Sequence, residues 1–448
     1  MSQDLSSLAH AALDAAKAAG AQSADVLAYQ GRSVSIEVRE GVLEHAERAE
    51  AIDLGLRVLL GQKQAIVSVS DTRPETLTMM AERAVAMARE APDDPYIGLA
   101  TPDELCQTPD ATGLDLVDPA PEPAAEWLQS AALESEAAAR AVSGVSQVQS
   151  ASSHVSQTEF HLAATNGFSA GYARTVHSRS CVAIAGEGTG MERDYDYDSR
   201  TYAADLRPAD EIGREAGDRA VAALNARQPA TGTYPVLFDE RVSSSLIGHL
   251  LSAANGASVA RGSSWLMEAL GEQVLPENLS IIEDPCRARI SASRPFDAEG
   301  LPTSSRAIVQ DGVLTGWTLD LASARQLGMS STGSATRGVS SPPSPSTTSI
   351  ALTQGQRSRD DLISQMGTGL LVTSMIGSTI NPNTGDYSRG ASGFWVENGE
   401  ITYPVNECTI AGNLRDILRR IEPANDARSH LSRVVPSLLI DGMTLAGN

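Results

Sequence analysis

Lysine is almost missing from this chain: only Lys17 and Lys63 occur, so arginine carries nearly all of the positive charge. That absence removes phosphate loops of the GxxxxGK[ST] type, SxxK nucleophile motifs and most Schiff-base chemistry. Basic charge is short overall, with 34 Lys and Arg against 56 Asp and Glu and a formal charge of −22. Nucleic-acid binding is therefore disfavoured, because neutralising phosphates requires basic side chains. Aromatic residues make up 4% of the chain, so its cores must be mostly aliphatic. No run approaches the roughly 20 apolar residues that cross a bilayer, and no membrane association is expected. The four cysteines, Cys106, Cys181, Cys286 and Cys408, include no CxxC pair, which reads as free-thiol usage in a reducing compartment. MSQDLSSLAHAALDAAKAAG lacks a basic segment and a continuous apolar stretch, so it reads as a first helix and not a signal peptide. The cytoplasm is the expected compartment.

What is present divides the chain into parts. At 448 residues the sequence exceeds one ordinary core. The segment ADVLAYQGRSVSIEVREGVLEHAERAEAIDLGLRVLLGQKQAIVSVS reads as a series of short strands, with turns at Gly31, Gly41 and Gly61-Gln62. A helix follows after Pro74, and PAPEP at 119–123 marks a linker or surface crossing. A second helix precedes strands over 144–206 that alternate in period two and turn at Asn166-Gly167. We divide the chain into 1–118, 119–229 and 230–448, an α+β protein with long antiparallel strands, helices packed on the sheets and a β-rich C-terminal domain. Within the last part, Asp311-Gly312 reads as a hairpin turn. STGSATRGVSSPPSPSTTS has too few large apolar residues to pack a core and reads as mobile.

The most specific run is GDYSRGASGFWVENGEITYPVNECTIAGN at 385–413. Asn398-Gly399 is a two-residue hairpin signal between SGFWVE and EITYPV, both rich in strand-forming residues. Before the hairpin, Asp386, Tyr387, Ser388 and Arg389 stand between two glycines. After it, LRDILRRI repeats apolar residues at helical spacing.

This run resembles the C-terminal domain of the TldD/PmbA proteins, in particular the PmbA or TldE branch. GHLLSAANGASVARGSSWLMEALGEQVLPENLSI (248–281), FDAEGLPTSSRAIVQDGVLTGWTLDLASARQLG (296–328) and MGTGLLVTSMIGSTINPNTGDYSRG (366–390) resemble further landmarks of that branch in the same order. The resemblance implies a two-part fold and a subunit that pairs with a TldD-like chain around a proteolytic chamber. TldD proteins hold zinc through an HExxxH helix and a distant cysteine. Alignment of the landmarks puts Gly248 at the first histidine, His249 at the glutamate, Ala253 at the second histidine and Val435 at the cysteine. The resemblance thus implies no catalytic residue, metal or cofactor in this chain, with zinc expected in the TldD-like partner and His249 in a structural role. It also implies small unfolded polypeptides as substrates, and Asp386, Tyr387, Ser388 and Arg389 as part of the peptide chamber or an interface. Gly338 and Ser349 stand where the family commonly has arginine and asparagine.

Other readings stay open on sequence. A homodimeric peptide-binding or chaperone-like protein needs the same strands and no chemistry, and a stand-alone metallopeptidase would need ligands from elsewhere. His177 and Cys181, with His154 and His161 nearby, offer two soft ligands, or are isolated polar positions on exposed strand faces. Glu187, Glu192, Asp194, Asp196 and Asp198 would bind a cation or a basic peptide, or form a solvated strand face. Ser388 has no histidine or aspartate at a recognisable spacing for a triad.

Overall fold

The computed structural model describes residues 4–447. Its first helix, α1 (Leu5–Ala18), starts where the Asp4 carboxylate accepts the backbone N–H groups of Ser6 and Ser7 at 3.1 and 3.3 Å. Leu5, Ala9, Ala12, Leu13 and Ala16 form its buried stripe, at the spacing a helix needs to face a sheet. That sheet has six antiparallel strands, β1 (Ser23–Arg39), β2 (Val42–Leu60), β3 (Lys63–Val69), β4 (Val145–Ala164), β5 (Ser169–Ala185) and β6 (Glu192–Arg200), in the order β3-β2-β1-β4-β5-β6. It joins residues on both sides of position 118, since β1 pairs with β4 from Asp25–Ala164 to Val38–Ala151.

The strands are longer than the glycine pattern predicts. Gly31 is not a turn: it lies inside β1, paired with Ala51 on one side and Thr158 on the other. A Cβ there would come within 2.7 Å of the Tyr29 hydroxyl, so this glycine makes room for a tyrosine ring. The chain does reverse at Glu40-Gly41, where φ is 56° and 76°.

Period-two alternation gives the sheet two different faces. Ala24, Val26 and Ala28 of β1 and Leu54, Leu56 and Val58 of β2 pack against α1 and α2 (Pro74–Glu90). Further along β1 the same parity, Val34, Ile36 and Val38, meets α3 (Ala125–Arg140) and α4 (Ala209–Ala222). All four helices therefore cover one face. The other parity, including Asp25, Leu27, Tyr29, Gly55 and Arg57, faces residues from the last part of the chain.

That last part centres on β7 (Gly232–Phe238) and α5 (Glu240–Ala253). A small sheet contains β8 (Ile281–Glu283), β9 (Arg306–Gln310) and β10 (Val313–Leu314), followed by a separate pair, β11 (Ala335–Thr336) and β12 (Ser344–Pro345). Asp311-Gly312 makes the expected hairpin between β9 and β10, with φ of 49° and 81°. The small sheet also includes β13 (Ile350–Leu352) and, at its edge, β18 (Arg433–Val434).

The large sheet adds β14 (Gly369–Ile380), β15 (Asp386–Glu397), β16 (Glu400–Asn413), β17 (Ile421–Pro423) and β19 (Leu438–Ala446). Strands run β16-β15-β14-β7-β19-β17, and a further pairing of β16 with β19 at Thr409–Ala446 closes β7, β14, β15, β16 and β19 into a ring. Asn398 and Gly399, at φ of 52° and 79°, form the turn between β15 and β16. One face of this sheet, with Val236, Phe238, Leu370 and Ile440, packs on α5. The alternate residues Leu237, Leu371, Val396 and Leu439 pack on the helix Arg359–Met366.

The stretch read as mobile is instead docked. The Arg337 side chain is 0% exposed and donates to Asp25 and to the Gly55 carbonyl, the latter at 3.2 Å. The Val339 backbone lies so close over Gly55 that a Cβ at position 55 would overlap the Val339 carbonyl. Composition missed this because charge and backbone approach hold the segment, not apolar burial.

Candidate functional site

Helix α5 begins at Asp239, whose carboxylate accepts the Arg241 N–H at 3.1 Å, and buries Ser243, Leu246, Ile247, Leu250, Leu251 and Ala253. Two residues five apart on an ideal helix point about 140° apart. Positions 248 and 253 therefore look in different directions, and position 253 looks into the core. Ala253 lies in the main apolar cluster, and its carbonyl accepts the Ser264 hydroxyl at 2.5 Å. Gly248 faces outward, where a Cβ would stand 3.1 Å from the Arg433 Nη1. Val435 belongs to the same apolar cluster, and its carbonyl lies 3.5 Å from the Ser243 hydroxyl, one turn before Gly248. The segment 433–435 thus runs beside α5.

His249 is half-buried between α5 and β15. Its ring meets that of Tyr387 at 5.8 Å between centroids and 61° between planes. Burial, and then the nearby charge of Arg389, push its pKa down to about 4, so the imidazole is neutral at pH 7. Tyr387 is itself buried and donates its hydroxyl to the Met375 sulfur at 3.6 Å; burial pushes the phenol up to about 12. Arg389 lies two residues further along β15, with its Nε buried and without an acceptor among the described residues. His249 Nε2 is likewise buried and unpaired.

Asp386 and Ser388 of GDYSRG are held in other ways. Asp386 accepts from Thr384 Oγ1 at 2.7 Å and from Asn413 Nδ2 at 3.0 Å, which hold its carboxyl below the usual range. Ser388 pairs through its backbone with Ala411 and Thr379. Sequence spacing brings out Tyr387 and Arg389 but misses Arg433, whose only signal is its place two residues before Val435.

Zinc does not fit this donor set. Glycine, alanine and valine bring no ligand atom, and the single imidazole lies against an arginine that disfavours any further positive charge. Among the described residues no three His, Cys, Asp or Glu side chains converge as a metal cluster. His177 and Cys181 are not on an exposed face. Both are buried on the helix-covered side of β5, with His177 Nε2 3.3 Å from Asp118, not aligned for a hydrogen bond, and the Cys181 thiol pushed up to about 11 by burial. His154 is half-buried and made less basic by burial, while His161 bonds the Ser169 hydroxyl at 2.8 Å.

The acidic row is neither a solvated face nor an open cation site. Glu192, Asp194, Asp196 and Asp198 share one side of β6, turned inward. Asp194 pairs with Arg241 at 2.7 Å, Asp196 with Arg207 and Arg219 at 2.7 and 2.8 Å, and Asp198 with Arg200 at 3.0 Å. Glu192 accepts from Asn406 at 3.0 Å, and Glu187 stays exposed.

Family models divide the chain into three parts, the first two of which share the six-stranded sheet. The PmbA/TldA metallopeptidase domain 1 matches residues 24–88, the central domain 116–224 and the C-terminal domain 231–447. The chain belongs to the PmbA/TldD metallopeptidase family. It is 37% identical over 427 residues to "Metalloprotease PmbA" of Escherichia coli O157:H7, covering 95% of this chain and 92% of that one. To the "Metalloprotease PmbA homolog" of Haemophilus influenzae it is 36% identical over 447 residues, covering 100% and 97%. The PmbA/TldD fold is also that of TldE from Thermococcus kodakarensis, with a TM-score of 0.84 at 20% identity over 97% of this chain and 99% of that one.

Proposed function

We propose that this chain is the PmbA/TldE-type subunit of a cytoplasmic TldD/TldE zinc metallopeptidase and is not itself the catalytic chain. In this reading a TldD-like partner supplies zinc and the water-activating glutamate. This chain shapes the chamber in which small unfolded polypeptides lie extended, held through main-chain hydrogen bonds as an added strand is. One observation supports the reading above all: the row Gly248, His249, Ala253 and Val435 offers one neutral imidazole beside Arg389, where hydrolysis would need ligands and a general base. The unpaired Nε of Arg389 and the neutral His249 suit a peptide carbonyl better than a metal.

The test is reconstitution. This chain is purified alone and together with a TldD-like chain from the same organism, and each sample is given zinc and an unfolded peptide. Cleavage is expected only in the mixture, and a chelator should abolish it. Robust cleavage by this chain alone would overturn the non-catalytic assignment, and failure of the two chains to associate at micromolar concentration would remove the partner.

A further inference from the structure

Away from α5, a cavity of ≈ 380 Å³ opens between the helix-free face of the six-stranded sheet and loops of the C-terminal domain. Its volume falls in the range of about 300–1,000 Å³ typical of small-molecule sites. Three arginines line it: Arg174 from β5, Arg294 from the loop before Phe296, and Arg337 from the docked segment. Phe160, Tyr172 and Phe296 supply apolar wall, with Tyr172 edge-on to Phe160 at 4.1 Å and to Phe296 at 5.5 Å.

The arginines are held in place but not satisfied. Arg174 donates to the Ser291 carbonyl at 2.5 Å and the Tyr172 hydroxyl at 2.9 Å, with its guanidinium over the Tyr172 ring at 5.2 Å. Arg294 donates to the carbonyls of Ala335 and Ser346 at 2.8 and 3.4 Å. Arg337 is bound to Asp25 and Gly55. In all three the Nε is buried and has no acceptor among the described residues. Carbonyls fix a guanidinium without neutralising it. Neither Arg174 nor Arg294 has a carboxylate within ion-pair distance among the described residues, and Asp25 is already shared with Arg57.

Nearby acids offset this charge only in part, one lining carboxylate against three arginines. Asp297 lines the cavity and its charge acts on Arg294, while its oxygens accept the backbone N–H groups of Glu299, Leu301 and Ala335 at 2.9, 3.0 and 3.0 Å. Glu299 beside it has its carboxyl driven well above the usual range by burial and by the Asp297 charge. In a chain of formal charge −22, this is a buried pocket of positive sign.

We propose that the cavity binds an organic carboxylate, with the anion beside the guanidinium groups of Arg174 and Arg294 and an apolar or aromatic body against Phe160, Tyr172 and Phe296. Bare phosphate would bond the same donors but leave the aromatic wall without a partner. A free acid and the C-terminal residue of a peptide share this chemistry. The site is separate from the α5 row and does not depend on how the peptidase reading fares.

Calorimetric titration of the full chain tests it with 3-phenylpropionate, N-acetyl-alanyl-phenylalanine and the amide of each. Both acids are expected to bind, and each amide at least about tenfold more weakly. Tighter binding of the peptide acid assigns the site to a peptide C-terminus, and tighter binding of phenylpropionate assigns it to a free acid. Arg174→Gln should weaken the acids by about tenfold or more while the protein melts cooperatively. Arg174→Lys, which keeps the charge but removes the planar fork, should fall between the two. No binding of either acid at millimolar concentration, equal binding of acid and amide, or inorganic phosphate binding more tightly than both acids would overturn the proposal.

Discussion

The imidazole of His249 stands edge-on to the phenol of Tyr387, and burial, together with the charge of Arg389 two residues along the same strand, holds the imidazole pKa down. This helix position is joined to a buried, neutral, partly unsatisfied polar cluster.

That cluster sets a pH dependence. His249 takes up its proton near 4 in the folded chain, against about 6.5 when unfolded. Between those values the unfolded state binds more protons, so stability rises with pH across this window and is lost as pH falls through it. The difference in stability between the native chain and His249→Gln should therefore shrink as pH drops from 6.5 to 4. Arg389→Gln should move the His249 titration upward, because one cause of its depression is gone. NMR of the imidazole protons measures both, and a His249 that titrates near 6.5 in the intact protein would sink the account.

Arg337→Met should cost about 3 kcal/mol in urea unfolding, the range for breaking a buried pair by removing one partner. Asp25 and Arg57 are each only 4% exposed and would remain, with Arg57 Nε still donating to Asp25 at 2.8 Å. The same variant should expose residues 338–349 to limited proteolysis. An unchanged cleavage pattern would show that Val339 over Gly55 suffices to hold the segment.

Chelator treatment of the isolated chain should leave its melting curve unchanged, and metal analysis should find zinc well below one equivalent. The expectation rests on Gly248, Ala253 and Val435, which lack donor atoms. A fall in melting temperature with EDTA would mean that a structural metal is held elsewhere.

Gly399→Ala should lower stability by about 1–2 kcal/mol from left-handed backbone strain, since φ is 79° there. The new Cβ would also come within 2.9 Å of the Ser364 Cα, so the hairpin would have to shift off the helix beneath it. The urea midpoint is the measurement, and an unchanged midpoint would contradict a left-handed residue at this turn.

The sequence was legible where local chemistry decides structure. Asn398-Gly399 and Asp311-Gly312 needed only their positive φ preference, and alternation in β4 and β5 needed only one buried face. It was not legible where distant groups decide. Gly31 looks like a turn until the Tyr29 ring is placed over it. Segment 331–349 looks mobile until Arg337 finds Asp25, more than three hundred positions earlier. The acids of β6 look solvated because alternation shows that they share a face but not that arginines of α4, α5 and the loop before α4 fill it. At the candidate site, the identities of Gly248, Ala253 and Val435 alone say that they carry no donor side chain, whereas the conjunction of His249, Tyr387 and Arg389 required the fold.

Closure of the β16–β19 pairing has a consequence for how the chain is made. Of the five strands in the ring, β19 leaves the ribosome last, and until it does β7 has an unpaired edge and β16 has no partner on its outer side. The six-stranded sheet, complete by Arg200, has no such wait. During synthesis the nascent chain therefore passes through a state with one finished half and one open-edged half, and that interval is when it is most exposed to strand-mediated aggregation.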